Sequence, residues 1–259
     1  MWGVLPSAPV KQLGGMRSVR GIRYSHRMTE LREIDVDFNF FDDTPQGKDP
    51  DSHSPRLRQY HQMLWSKPLP DGRPFELARG NALSPYLVYD ADGLRFRLGS
   101  DTIATRHRKK LRSLFEQVPL AVTDGFLRRS YTICGFMIFP VATGSTNQER
   151  GKHHLIQDRW DLTLESIRRF YEGGSSPLAD AIGRQSAFFK LFGSFGGYVN
   201  HFHLNDFLDV DGGVRFLLPF DDFNGPALPP DLSSYERYLG DSLQLFEARR
   251  DRLQREISG

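Results

Sequence analysis

Two short apolar runs, Tyr86–Tyr89 and Leu94–Leu98, flank Asp90-Ala91-Asp92-Gly93, and this arrangement commits the chain to an antiparallel strand pair. Gly93 accepts the positive φ that such a turn requires. The alternation then puts Leu94, Phe96 and Leu98 on one face and Arg95 and Arg97 on the other.

The rest of the chain supplies helices and further strands without a strict β-α-β alternation. Ile34–Phe41 alternates acidic and apolar residues and predicts a strand, followed by an irregular loop over Asp42–His53. Ser54-Pro55 opens a helix over Arg56–Trp65 with Leu57, Tyr60 and Leu64 inward. Thr105–Leu127 predicts a helix, and the apolar Tyr131–Val141 a central strand buried on both faces. Asp158–Tyr171 has the best helical stripe (Trp160, Leu164, Ile167, Tyr171), with Asp158 as cap and Gly173-Gly174 as stop. Phe-rich helices over Leu178–Phe195 and Gly197–Leu208 follow, then a strand over Val214–Phe220. A long terminal helix over Ser234–Ile257 turns Leu239, Leu243, Phe246, Leu253 and Ile257 inward. The reading is an α+β fold: a mostly antiparallel or mixed central sheet packed with several helices and closed by a long C-terminal helix.

Composition narrows the function classes. An apolar share of 39% with 20 Phe supports a sizeable core and excludes wholesale disorder. No stretch approaches the ~18 apolar residues that span a bilayer, so no membrane partner is expected. The single cysteine, Cys134, lies in an apolar run and reads as a small core residue; one cysteine suits a reducing, cytoplasmic setting. Residues 1–27 carry five basic residues and no acid, so with the whole chain at +2 the remainder stands at −3. That segment reads as a flexible basic leader or a misassigned start, with Met28 opening a single α+β domain over 28–259. A slightly acidic body gives little support for coating a duplex.

The common catalytic signatures are missing. There is no phosphate loop and no nucleophile elbow, and Gly193-Ser194-Phe195-Gly196-Gly197 is a residue short of a dinucleotide loop. His201-Phe202-His203 would grip a metal with Asp206 only on a strand, whereas the segment predicts a helix, so no metal site is assigned. Asp209–Gly213 lacks the glutamate of a calcium loop. The basic run Arg106–Lys110 reads as a solvated face. The richest polar region is Ser145–Gly151, a loop at the end of the buried strand, leading into Gln157–Asp161. There Asn147 offers donor and acceptor, Arg150 and Arg159 suit an anion, and Asp158, Asp161 and Glu165 suit acid–base work. Arg58, His61 and Lys67 form a second polar group around the first long helix.

From Asp49 onward the chain resembles a bacterial family of unknown function. The shared stretches include Ser54-Pro55-x-Leu57-Arg58-x-Tyr60-His61, Leu64-Trp65-Ser66-Lys67-x-Leu69-Pro70 and Ser100-Asp101-x-Ile103. Gly135–Pro140, Asn147–Gly151, Asp158–Glu165, Arg168-Arg169, Ser176-Pro177-Leu178 and Pro219–Phe223 continue the likeness. His201 and His203 depart from the aliphatic and aromatic residues of that family's segment. The resemblance implies a soluble, intracellular bacterial protein and assigns no chemistry.

Two functions compete on these grounds. In one, the protein is an enzyme or effector for a phosphate-bearing ligand, a nucleotide or RNA. Asp158, Glu165 and His61 then do the acid–base work, and Arg58, Lys67, Asp101, Asn147, Arg150 and Arg159 hold the ligand. In the other, it is a non-catalytic binding or regulatory protein whose polar cluster fixes the fold. The two differ on whether those side chains share one open cleft.

Overall fold

The computed structural model describes residues 31–80, 84–107 and 109–259. The leader 1–27 and its proposed boundary at Met28 lie outside the described residues. The fold is α+β, with one antiparallel sheet in the order β1 (Leu77–Arg79), β2 (Leu87–Ala91), β3 (Leu94–Thr102) and β4 (Phe136–Pro140). Asp92 and Gly93 both take positive φ, 55° and 74°, closing the hairpin as the sequence requires. The register pairs Leu87 with Leu98 and Asp101 with Met137.

The helices, in chain order, begin with α1 (Pro50–His53) and α2 (Pro55–Trp65) ahead of the sheet. Between β3 and β4 come α3 (Arg112–Phe115) and α4 (Leu120–Ser130). After β4 follow α5 (Thr146–Lys152), α6 (Trp160–Glu172), α7 (Ala179–Arg184), α8 (Ser186–Lys190), α9 (Phe195–His201) and α10 (Leu232–Ser258). Ser54 caps α2 by accepting from Leu57 N, and Leu57, Tyr60 and Leu64 are buried as their spacing requires. Helix α6 ends at Gly173, whose φ of 80° is the left-handed stop the glycine pair predicts. Helix α10 buries Leu239, Phe246, Leu253 and Ile257, with Leu243 only half-buried. Buried side chains from Leu31 to Ile257 form one contiguous cluster. Among the described residues no helix is long and apolar enough to cross a membrane.

Several expected elements take another form. Ile34–Phe41 is a series of turns, because the side chains of Asp35 and Asn39 accept from Asp37 N and Phe41 N and divert those amides from a ladder. Asp49–Ser54 is a capped turn of helix, not loop: Asp49 accepts from Asp51 N and Pro50 fits the first helical position. The helix expected over Thr105–Leu127 breaks before Leu120, since Pro119 has no N–H to continue it. Only Phe136–Pro140 of the apolar run is strand, after a 3-10 turn at Ile133–Gly135, and it is the edge of the sheet although every residue in it is buried.

Gly193 at φ 72° and a bend at Gln185 divide the Phe-rich segment into α7, α8 and α9, and Gly197–Leu208 gives the end of α9 and a 3-10 turn at Asn205–Phe207. Val214–Phe220 keeps a single bridge, Leu208 to Val214, because Leu217 N donates to the Asp161 carboxylate instead of a neighbouring strand. Asp158 does not cap α6; it sits at φ 63° and Arg159 holds the cap position without a side-chain bond.

Candidate functional site

The last residues of β3 send neighbouring side chains to opposite faces. Ser100 turns toward α2, where its Oγ lies 2.9 Å from His61 Nε2. Trp65 Nε1 donates to His61 Nδ1 over 2.8 Å, so the ring is neutral and Nε2 carries the proton given to Ser100. Burial, with the Arg249 charge adding to it, keeps His61 neutral down to a pKa of about 3.

Asp101 turns the other way and is where the polar residues meet. Arg150, on α5, donates from Nη1 to Asp101 Oδ2 at 3.1 Å and to Thr102 O at 3.2 Å. Its Nη2 donates to Asp158 O at 2.8 Å, and the Asp158 carboxylate stands 3.7 Å from Nη1. Asn147, one turn earlier on α5, lies beside Asp101 and favours its charged form. Helix α5 replaces the loop expected over Ser145–Gly151: Ser145 Oγ accepts from Gln148 N and starts the helix that places Asn147 and Arg150 on one side. Gln157 and Asp158 both hold left-handed φ, 51° and 63°, a conformation costing on the order of 1–3 kcal/mol per residue. The bonds from Asp158 N to Arg150 O and from Thr105 Oγ1 to Asp158 O keep them there.

A fifth residue completes the group. Asp51, on α1, lies near enough to Asp101 for the two carboxyls to act on each other electrostatically. Burial and then the Asp101 charge hold the Asp51 carboxyl protonated far above the usual carboxylate range. Burial raises Asp101 as well, but the Arg150 guanidinium opposes the rise. The two carboxyls therefore titrate as one pair that holds protons more tightly than free carboxyls do. Asp51 Oδ1 and Asn147 Oδ1 are buried, and among the described residues no donor reaches either. The side chains of Asp101 and Asp158 are 24% and 39% exposed.

Of the residues singled out from sequence, Asp101, Asn147, Arg150 and Asp158 come together. The others do not join them. Arg159 is buried against Asp161, donating through Nε at 3.0 Å and through Nη2, with Nη1 on Ala227 O. Glu165 is buried and forked by Arg168 and Arg169. Arg58 donates to Ser52 O at 3.2 Å, and Lys67 Nζ lies 2.7 Å from His203 Nε2. His61 occupies the opposite face of β3. Asp51 escaped the sequence reading. Asp49-Pro50-Asp51 does signal a helix start, but its spatial neighbour fifty residues on has no sequence signal.

His201 ends α9 with its ring against Phe75 and Phe192, while Asp206 binds Arg252 at 2.8 Å. Among the described residues no group of three or more His, Cys, Asp or Glu is placed to hold a metal ion.

A family profile matches residues 34–253, a span that includes all five residues of the cluster. The chain belongs to DUF6994, a family of unknown function. No curated protein matches it in sequence. No solved structure matches it either. The membership leaves the chemistry of this DUF6994 chain to its own geometry.

Proposed function

We propose that the protein performs acid–base chemistry at the Asp51–Asp101 pair, on a small polar molecule that donates hydrogen bonds. The reading is carried by one observation: two buried acceptors beside the Asp51–Asp101 pair, Asp51 Oδ1 and Asn147 Oδ1, lack donors among the described residues. Buried polar atoms without partners are rare and ask for a ligand or water to complete them. Asp51 would give a proton and Asp101 would take one, since environments that push two carboxyls apart in acidity divide the roles between them. Arg150 orients Asp101, and Asn147 receives a ligand donor.

The charge balance sets the ligand class. Three carboxyls, one proton and one guanidinium favour a neutral or cationic group over a phosphate. Arg150 and Arg159, the expected phosphate clamp, spend their donors on carboxylates and carbonyls. The alternative of a non-catalytic protein with structural polar networks draws on the sealed Arg159–Asp161 and Glu165–Arg168–Arg169 groups.

Asp51→Asn separates the two readings, because the amide copies the shape of the protonated acid. A carboxyl whose folded pKa is raised costs stability as pH climbs above its unfolded value near 3.8. In an active site, removing that cost should raise the melting temperature at pH 8 by about 2–4 °C. It should also abolish any thermal shift that polyamines, guanidines or amino sugars give the parent. A lowered melting temperature, with no shift from any of these compounds in the parent, would leave the structural reading standing.

A further inference from the structure

The two faces of the sheet are unlike. One buries Leu77, Leu87, Tyr89 and Leu98 against the helices, whereas the other presents Ala78, Val88, Asp90, Arg95 and Arg97 outward. An open hollow of about 550 Å³ lies on this outer face, lined by Ser84, Tyr86, Val88, Arg95, Arg97 and Val141. The Arg97 guanidinium lies 4.3 Å from the centre of the Tyr86 ring, forming a flat cationic stack. Among the described residues Arg95 pairs with Asp90, at 3.5 Å with side-chain exposures of 72% and 63%, a pair so solvated that an incoming anion displaces it at little cost.

We propose that this face binds a nucleotide unit of single-stranded nucleic acid, its base on the Tyr86–Arg97 stack and its phosphate on Arg95. An aromatic ring beside exposed arginines is what base stacking and backbone capture need, and neither calls for a particular base sequence. Val88 and Val141 give the hollow an apolar floor that suits the edge of a base. The proposal is independent of the Asp51–Asp101 reading, since the residues lie on different parts of the sheet and answer different chemistry.

The test titrates the full chain into a fluorescently labelled oligouridylate, followed by anisotropy, and titrates uridine monophosphate into the chain in a second arm. We expect the parent to bind the oligonucleotide with an affinity that falls as salt rises. Arg95→Glu with Arg97→Glu should weaken binding at least about tenfold, Tyr86→Ala about tenfold, and Arg97→Lys less. These side chains are partly or largely exposed, and circular dichroism verifies that each variant folds. Binding of the monophosphate with the same variant dependence would support a nucleotide-sized ligand, and binding of the oligonucleotide alone a polymer. Failure of the parent to bind either probe overturns the proposal. So does undiminished binding by the variants, which is the result if the basic segment 1–27, intact in all of them, carries the affinity. Loss with the arginine variants but not with Tyr86→Ala overturns the stacking assignment.

Discussion

Arg150, at the corner where α5 meets α6, and Arg249, in the middle of α10, have guanidiniums out of solvent at 1% and 0% exposure, yet their surroundings differ in charge. Arg150 faces the carboxylates of Asp101 and Asp158, as its neighbour Arg159 faces that of Asp161. Arg249 donates instead to Cys134 O at 2.8 Å, to Phe136 O and Phe202 O at 3.0 Å, and to Met137 Sδ at 3.3 Å, while its Nε has no partner among the described residues. Asp206, the carboxylate that acts on it from a distance, is already held in a fork by Arg252. Burial accordingly lowers the Arg249 pKa to about 10. The paired corner leaves charge to spare at its rim, where Asp51 must keep a proton. The α10 site keeps its charge inside and uses it to tie the turn before β4, β4 itself and the end of α9 to one helix.

The largest expected effect tests whether the counter-charge is what matters. Asp161→Ala strands the Arg159 cation and frees Leu217 N, and should cost about 3–5 kcal/mol in urea unfolding. Arg249→Met removes a cation that has no carboxylate and keeps much of its volume. It leaves carbonyls short of a donor, for roughly 2 kcal/mol. Equal losses in the two variants would erase the distinction between the regions.

Acid should sharpen it. His61 and His107 are buried and stay neutral to about pH 3, burial being the larger cause for each, with Arg249 adding to His61 and Arg159 to His107. His203, beside Lys67, is held neutral in the same way. A histidine whose folded pKa is lowered costs nothing above its unfolded value near 6.5. Below it the unfolded chain takes up a proton that the native state refuses, so stability falls with pH by up to about 1.4 kcal/mol per unit for each buried ring. Asp51 works the opposite way, because it already holds its proton in the folded state. The urea midpoint should thus fall between pH 7 and 5 in the parent, and more steeply in Asp51→Asn. A midpoint independent of pH across that interval would mean the buried rings admit a proton without penalty.

What could be read from the sequence follows the range of the forces involved. The 87–98 hairpin, the cap of α2 and the stop at Gly173 depend on neighbours within a few residues, and all are present. The Asn147–Asp158 stretch drew notice because its polar side chains follow a buried strand, and four residues from the list do meet there. The strand expected over Ile34–Phe41 failed because side chains two residues away captured its amides. The strand over Val214–Phe220 failed because a carboxylate on α6 took Leu217 N. Asp51 and Arg249 were invisible for a related reason: partners fifty or more than a hundred residues away decide their chemistry. A charged residue on an otherwise ordinary helix gives no local hint that it will be desolvated.

The smallest expected effect concerns what holds α5 in place. This seven-residue helix carries both Asn147 and Arg150, and is too short to be stable on its own. Two attachments compete to explain its position: the Ser145 cap at its start and the Arg150 ion pairs near its end. Ser145→Ala removes one hydrogen bond to Gln148 N and should cost about 1 kcal/mol, well below the loss from Asp161→Ala. If the ion pairs dominate, hydrogen exchange at Gln148 and Glu149 should quicken while Arg150 and Gly151 stay protected. If exchange quickens along the whole helix, the cap is the anchor, and the carboxylates at this corner take their arrangement from a serine hydroxyl rather than from the buried charge.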